Sequence, residues 1–249
     1  MEGGKYVKLG IIGAMEIEVQ TLVSRMTSES GSGVPKLIHA ASLDFYDGML
    51  HGVPAVVVKS GIGKVNAALC AERLVHDFGA THVINTGIAG AMASGLGVFD
   101  IVISTDALYH DVDVTGFGYE PTVIPQMMES CFRADDMLIH VAEKAFEKTA
   151  AAKNHMVIKG RVASGDQFIS SATAKKRIQE VCNPACVEME GAAIAHACYL
   201  NGIPFVIIRA MSDMADDGEE TSYKFNDTEA AEESAAIVIE MCRELAGKA

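Results

Sequence analysis

Short β-rich apolar runs and longer stretches with apolar residues three or four apart follow one another from one end of the chain to the other. Residues 7–12 form such a run, closed by Gly13-Ala14. Residues 16–26 then carry helical spacing through Ile17, Leu22, Val23 and Met26. Residues 36–50 alternate loosely, with Asp47-Gly48 as the turn or bulge signal, and residues 54–59 read as another strand. Ser60-Gly61-Ile62-Gly63-Lys64 predicts a tight turn, residues 65–78 a helix and residues 82–85 a buried strand. A second glycine turn, Thr86-Gly87-Ile88-Ala89-Gly90, is expected to close that strand.

Residues 100–108 predict a further strand, after which a long loop runs through Pro121 and Pro125 to about Ala134. Loops of that length in a compact domain are functional or mobile more often than not. Beyond it, predicted helices at 136–151, 172–181, 191–201 and 227–245 alternate with strands at 157–163, 185–188 and 205–211. The last helix gathers Ala230, Ala231, Ala235, Ile237, Val238, Met241 and Leu245 mostly on one face. No linker, internal repeat or low-complexity segment interrupts the pattern. Residues 1–249 are therefore expected to form one α/β domain with its site at the strand ends, where open sheets of this kind bind ligands.

Charge narrows the partners. The 249 residues carry a formal net charge of -13 and no Lys/Arg run, which argues against nucleic acid and against anionic membranes. Nowhere do eighteen apolar residues follow one another, and no cleavable leader is evident, so a soluble cytoplasmic protein is the expectation. The six cysteines contain no C-x-x-C pair and sit inside apolar or helical patterns, as reduced packing residues do. Cys182 and Cys186 lack the further ligands a zinc site needs. His110, Asp111 and Asp113 are read as loop hydrogen-bonding groups, and no metal is predicted.

The chemistry gathers at the junctions. In Val187-Glu188-Met189-Glu190-Gly191, Glu190 stands where an apolar run gives way to an alanine-rich helix, and it is either a first-turn cap or an acid aimed at a ligand. Asp213 ends the next apolar run, and Glu18 and Arg209 complete the candidate set. Two carboxylates flanking one bond suit glycosidic chemistry, whereas an Arg paired with helix-capping acids is the structural alternative. Phe168, at the Ser164-Gly165-Asp166 turn, is either core packing or a platform for a ligand. Neither glycine turn is a Walker loop or a dinucleotide fingerprint.

In order and spacing, Gly13-Ala14-Met15-Glu16-Ile17-Glu18, Ser60-Gly61-Ile62-Gly63-Lys64, Asn85-Thr86-Gly87, His110 to Thr115, Ser164-Gly165-Asp166, Val187 to Glu190 and Arg209-Ala210-Met211-Ser212-Asp213 resemble the 5'-methylthioadenosine/S-adenosylhomocysteine nucleosidases of the nucleoside phosphorylase superfamily. The resemblance runs from about Lys8 to the end of the chain. It implies a three-layer α/β domain with a mixed, partly barrel-like sheet, a homodimer, no cofactor, and hydrolysis of the bond between adenine and a 5'-thio-substituted ribose. It further implies that Asp213, held by Ser212, protonates purine N7, and that Glu190 binds the ribose hydroxyls and steadies an oxocarbenium-like transition state. Glu18 is then the base for the attacking water, and Arg209 orients that water and steadies the acids. Phe168 stacks on adenine while the backbone of Ile169 reads its edge. Met15, Ile62, Val114, Met189 and Tyr223 line the ribose and thioalkyl pocket, closed by Phe117 and by Pro125 from the neighbouring subunit.

One position departs from the family pattern. Ile88 stands where these enzymes place a Ser that helps hold the water. Phosphorylases of the superfamily bind phosphate with an Arg and a Ser near this turn, where this chain has Asn85 and Ile88, and Glu18 opposes an anion there. Water is therefore the expected nucleophile. The other readings are a phosphate-dependent purine nucleoside phosphorylase and a nucleoside-binding protein without turnover. Methylthioadenosine, S-adenosylhomocysteine, 5'-deoxyadenosine and aminodeoxyfutalosine remain unranked as substrates, because the 5' group meets pliable Met and Tyr side chains.

Overall fold

The computed structural model describes residues 7–216 and 220–247, with residues 220–225 as backbone alone. Tyr223 falls in that stretch, so its expected place in the thioalkyl pocket lies outside the described side chains. In chain order the elements are β1 (Leu9–Gly13), α1 (Glu16–Arg25), β2 (Met26–Thr27), β3 (Lys36–Ala40), β4 (Leu43–Leu50), β5 (Val53–Lys59), α2 (Lys64–His76), β6 (His82–Ala91), β7 (Ile101–Tyr109) and β8 (Cys131–Arg133). There follow α3 (Asp136–Phe146), β9 (Val157–Ser164), α4 (Ala172–Cys182), β10 (Cys186–Glu188), α5 (Gly191–Asn201), β11 (Phe205–Asp213) and α6 (Glu220–Ala246).

Among the described residues, eleven strands join one mixed sheet in the order β10-β9-β7-β11-β6-β1-β5-β4-β2, with β3 on β4 and β8 on β7. β10 also pairs back onto β6, antiparallel, through Cys186 to Ala91 and Val187 to Gly90. That short contact closes β6, β11, β7, β9 and β10 into a five-stranded ring, while β1, β5, β4 and β2 extend from it as an open wing. Helices flank the sheet in two groups, α2 against α5, and α1 and α3 against α6. β1 and β11 are buried along their whole lengths, and their runs are apolar rather than alternating, as strands covered on both faces require, until β11 reaches Arg209, Ser212 and Asp213. Among the described residues, no helix is long and apolar enough to cross a membrane.

Two turn expectations are corrected. The stretch expected as a second glycine turn is strand: β6 runs on through Thr86-Gly87-Ile88-Ala89-Gly90, paired with β11 from Val83 to Gly90. The glycines are there for clearance. A Cβ on Gly87 would collide with the Arg209 guanidinium and the Glu18 carboxylate, and one on Gly90 would come within 2.8 Å of Asp213 Oδ1 and of Ala215 Cβ. The 36–50 stretch likewise turns at Ala41-Ser42, with φ of 49° and 61°, while Gly48 lies inside β4 where a Cβ would strike the Thr27 carbonyl.

Smaller differences have local causes. α3 stops at Phe146, where the Thr149 hydroxyl donates to the Phe146 carbonyl at 2.8 Å and turns the chain out of the helix. The long loop contains a strand, β8, which returns antiparallel along β7. α6 is already helical at Glu220, seven residues ahead of the expected Asp227.

Candidate active site

Glu18 is fixed before it meets any ligand. It lies in the first turn of α1 and reaches back, so that its Oε2 accepts the N–H groups of Ala14 at 2.6 Å and Met15 at 2.9 Å. Its Oε1 accepts the Ile88 N–H at 3.0 Å, across the space that Gly87 leaves open. Burial pushes this carboxyl above its ordinary range, with the Arg209 charge and the three N–H groups offsetting only part of that. A buried acid with fixed oxygens and a raised pKa is a stronger base than a surface glutamate.

Glu190 stands at the N-cap of α5, yet its side chain does not cap the helix. Glu188 does so: its Oε2 accepts the N–H groups of Gly191 at 2.7 Å and Glu190 at 3.1 Å, and its Oε1 takes the Ser164 hydroxyl. Glu190 is thereby released from structural duty. Its Oε1 accepts the Gly63 N–H at 2.9 Å and its Oε2 lies 3.7 Å from Arg209 Nη2. Burial first, and then the Glu188 charge, push its carboxyl up to about 7.

Arg209 is wholly buried on β11 and organises these acids from behind. Its Nη2 donates to Asn85 Oδ1 at 2.6 Å and to Glu188, and Nη1 donates to the Ile88 carbonyl at 3.4 Å. Nη1 is also 3.9 Å from Glu18. Asp213 closes the opposite side, with Oδ1 accepting the Ala215 N–H at 2.8 Å and Oδ2 accepting the Ser212 hydroxyl at 2.8 Å.

A cleft of about 450 Å³, its open mouth included, is lined by Glu18, Glu190, Asp213 and Ser212 together with Met15, Ile62, Ile88, Met189 and Phe168. A smaller recess of about 250 Å³ shares Phe168, Met189 and Asp213 with it and adds Ile169. Phe168 is 49 % exposed, so it is a wall of the cleft rather than core. Arg209 is not among the lining residues, and neither are Val114, Phe117 and Pro125. Phe117 is 86 % exposed and Pro125 half-buried, both on the 110–130 loop.

Glu188 is the residue that sequence reasoning passed over. A signal was present: along an extended chain, positions 186, 188 and 190 share a face, so two acids two residues apart point the same way. Asp111 and Asp113 make the loop hydrogen bonds expected of them, to Lys64 and the Asp166 N–H and to Thr115 respectively. His110 departs from that expectation: it is buried with its ring packed under Gly165, and neither ring nitrogen has a hydrogen-bond partner among the described residues. Among the described residues, no group of three or more His, Cys, Asp or Glu is placed to hold a metal.

The phosphorylase superfamily profile matches residues 8–243. A 5'-methylthioadenosine/S-adenosylhomocysteine nucleosidase from Halalkalibacterium halodurans is 44% identical over 217 residues, 87% of this chain and 89% of the relative. Among solved structures, the nucleosidase of that name from Neisseria meningitidis, in complex with methylthio-immucillin-A, superposes with a TM-score of 0.88 at 38% identity, covering 95% of this chain and 99% of its own. The Colwellia psychrerythraea nucleosidase, in complex with adenine, gives 0.89 at 38% identity over 97% and 96%.

Proposed function

The chain belongs to the phosphorylase superfamily and, within it, to the 5'-methylthioadenosine/S-adenosylhomocysteine nucleosidases, and from that membership we propose that it hydrolyses the N-glycosidic bond of those nucleosides, releasing adenine and the 5'-thio-substituted ribose. The observation that carries the reading is the convergence of Glu18, Glu190 and Asp213, from three distant segments, on one cleft walled by Phe168.

In this reading, adenine stacks on Phe168 beside Ile169, within reach of Asp213. Asp213 passes a proton to purine N7, because a neutral base leaves far more readily than an anion. The Ala215 N–H and Ser212 hydroxyl hold the acid's orientation during the transfer. Glu190, released from capping by Glu188, faces the ribose hydroxyls and offers negative charge to the developing oxocarbenium ion. Glu18 takes the proton of the attacking water, its oxygens held by main-chain donors. Arg209 keeps three neighbouring acids compatible from behind the wall. No cofactor takes part.

Water rather than phosphate is the nucleophile we assign. The guanidinium that an anion would need is committed to Asn85 and Glu188, and the facing wall carries Glu18. Adenine release from methylthioadenosine, followed with and without phosphate, tests both readings. Phosphate-independent release supports hydrolysis; strict phosphate dependence with ribose 1-phosphate as product overturns it.

We also read residues 1–249 as one domain and the working unit as a homodimer in the cytoplasm. Exposed Val65 and Leu69 on α2 and Leu200 on α5, two helices that pack together, make an apolar face suited to a second copy. Pro125 would then reach the neighbouring site. The six cysteines are unpaired, as suits a reducing compartment. Sedimentation of the purified protein tests the dimer: a monomer at micromolar concentration removes it.

A further inference from the structure

The start of α2 runs against its own helix. Its N-cap is Gly63 at φ 100°, no side chain there caps it, and its first turn has no acid. Lys64 instead sets an ammonium where the helix dipole disfavours a cation. Two carboxylates from other segments answer it. Asp166 Oδ1 accepts the Lys64 N–H at 2.9 Å, capping the helix from 102 residues away. Lys64 Nζ donates to Asp111 Oδ2 at 2.6 Å, lies 3.6 Å from Asp166 Oδ2, and rests 5.3 Å above the Tyr109 ring. The Asp166 N–H closes the triangle on Asp111 Oδ2 at 3.0 Å.

Each corner belongs to a segment next to the cleft. Before Lys64 come Ile62 on the wall and Gly63, whose N–H holds Glu190. After Asp166 comes Phe168. Asp111 leads toward the 114–125 loop. We propose that Lys64 is a positioning residue for nucleoside binding: through Asp111 and Asp166 it clasps the 60–64 and 164–169 loops together and so sets the spacing between the Phe168 ring and the Glu190 carboxylate. This deepens, and rests on, the nucleosidase reading of the cleft.

The clasp is built to hold charge. The Lys64 and Asp111 side chains are 24% and 14% exposed, so the pair is shielded from water more than an ordinary surface bridge. Burial opposes the Asp111 charge, but the Lys64 ammonium and the Asp166 N–H outweigh it and hold the carboxyl below its usual range. Gly63 is constrained as well, since a Cβ there would approach Asp166 Oδ1 to 3.3 Å on a backbone that side chains rarely adopt.

Lys64→Met keeps the stem and removes the charge. Because Phe168 stacks on the purine in substrate and transition state alike, while Glu190 keeps its own bond from the Gly63 N–H, loss of the clasp is expected to raise KM for methylthioadenosine by about tenfold and to leave kcat within about twofold. Lys64→Arg is expected to restore most of the affinity. Calorimetric binding of adenine should weaken by a similar factor, and this arm reads the clasp whether or not the protein turns methylthioadenosine over. Wild-type protein that binds adenine but releases none from the nucleoside would remove the nucleosidase reading and leave the clasp to be judged by calorimetry. Unchanged KM and adenine affinity, or a fall in kcat at constant KM, overturns the proposal. Should Lys64→Met not fold, Asp111→Asn, which keeps the shape and drops the charge, is judged by the same outcomes.

Discussion

Glu188 holds the Arg209 guanidinium in a wholly buried ion pair, while Glu190 stands 3.7 Å from the same nitrogen. Two acids separated by one residue thus divide the labour. One lines the cleft but spends its oxygens on Arg209 Nη2, the Ser164 hydroxyl and the start of α5; the other takes only the Gly63 N–H and keeps an oxygen for a ligand. Buried charge clusters of this kind contribute little net stability, but removing one partner strands the rest. Glu188→Ala is therefore expected to lower unfolding free energy by about 3–5 kcal/mol, read from urea titration. Glu188→Gln keeps the shape and removes the like charge beside Glu190. If Glu190 governs the acid limb of kcat/KM, that limb should fall at lower pH in this variant than in the wild type, because the neighbouring like charge that helps raise the Glu190 carboxyl is gone. An unmoved limb would mean that Glu190 does not govern it.

Glu190 has a stability signature of the opposite sign from most carboxylates. Its pKa is about 7 in the folded protein against an ordinary 4.5, so the native state binds that proton more tightly than the unfolded chain. The resulting stabilisation is complete below pH 4.5 and is lost as pH climbs through about 7. Above that, the free protein carries an ion it disfavours by on the order of 3 kcal/mol. Glu190→Gln should accordingly match wild type near pH 5 and exceed it by up to that amount at pH 8, while losing activity. Denaturant unfolding at the two pH values checks this, and a gap that stays constant with pH rules it out.

Asp213→Asn should abolish turnover while sparing adenine binding. The amide preserves the contact with Ser212 and the shape between Gly90 and Ala215, but has no proton to transfer to N7. Loss of a general acid costs about 10²–10⁴ in kcat. Titration of adenine into the variant separates the roles, since an amide N–H still reaches purine N7: near wild-type affinity with kcat lost supports proton transfer. Equal loss of folding would assign the residue to structure.

Much of this was readable in the chain because it depends on local pattern. Strand and helix periods place Glu18, Glu190 and Asp213 at element ends, and ends of buried strands are where a sheet meets ligand. What was not readable depends on distant atoms. Gly87 and Gly90 read as punctuation, yet their lack of a side chain serves Glu18, Arg209 and Asp213, which approach them only in the folded ring. Ala41-Ser42 carries no turn signature and turns because β3 and β4 pair around it. Glu188 and Glu190 are the same residue type in one motif, and only the positions of Arg209, Ser164 and Gly63 tell the two apart.

Ile88 offers the sharpest test of how the water is held. Its N–H already fixes Glu18 at 3.0 Å, and its side chain, 7% exposed, presents an apolar wall to the cleft beside that carboxylate. Ile88→Ser leaves the main-chain bond in place and adds a donor and acceptor beside the Glu18 carboxylate. One hydrogen bond is worth about 1 kcal/mol, so kcat is expected to rise roughly fivefold with KM unchanged. Losing a buried aliphatic side chain should at the same time cost about 2 kcal/mol of stability, visible as a lower Tm. Ile88→Val separates the two effects, since it opens space without supplying a hydroxyl and should lose about 1 kcal/mol with no gain in rate. Equal rates for the Ser and Val variants would show that Glu18 and its main-chain donors suffice to place the water, and that an apolar residue at this strand position costs the reaction nothing.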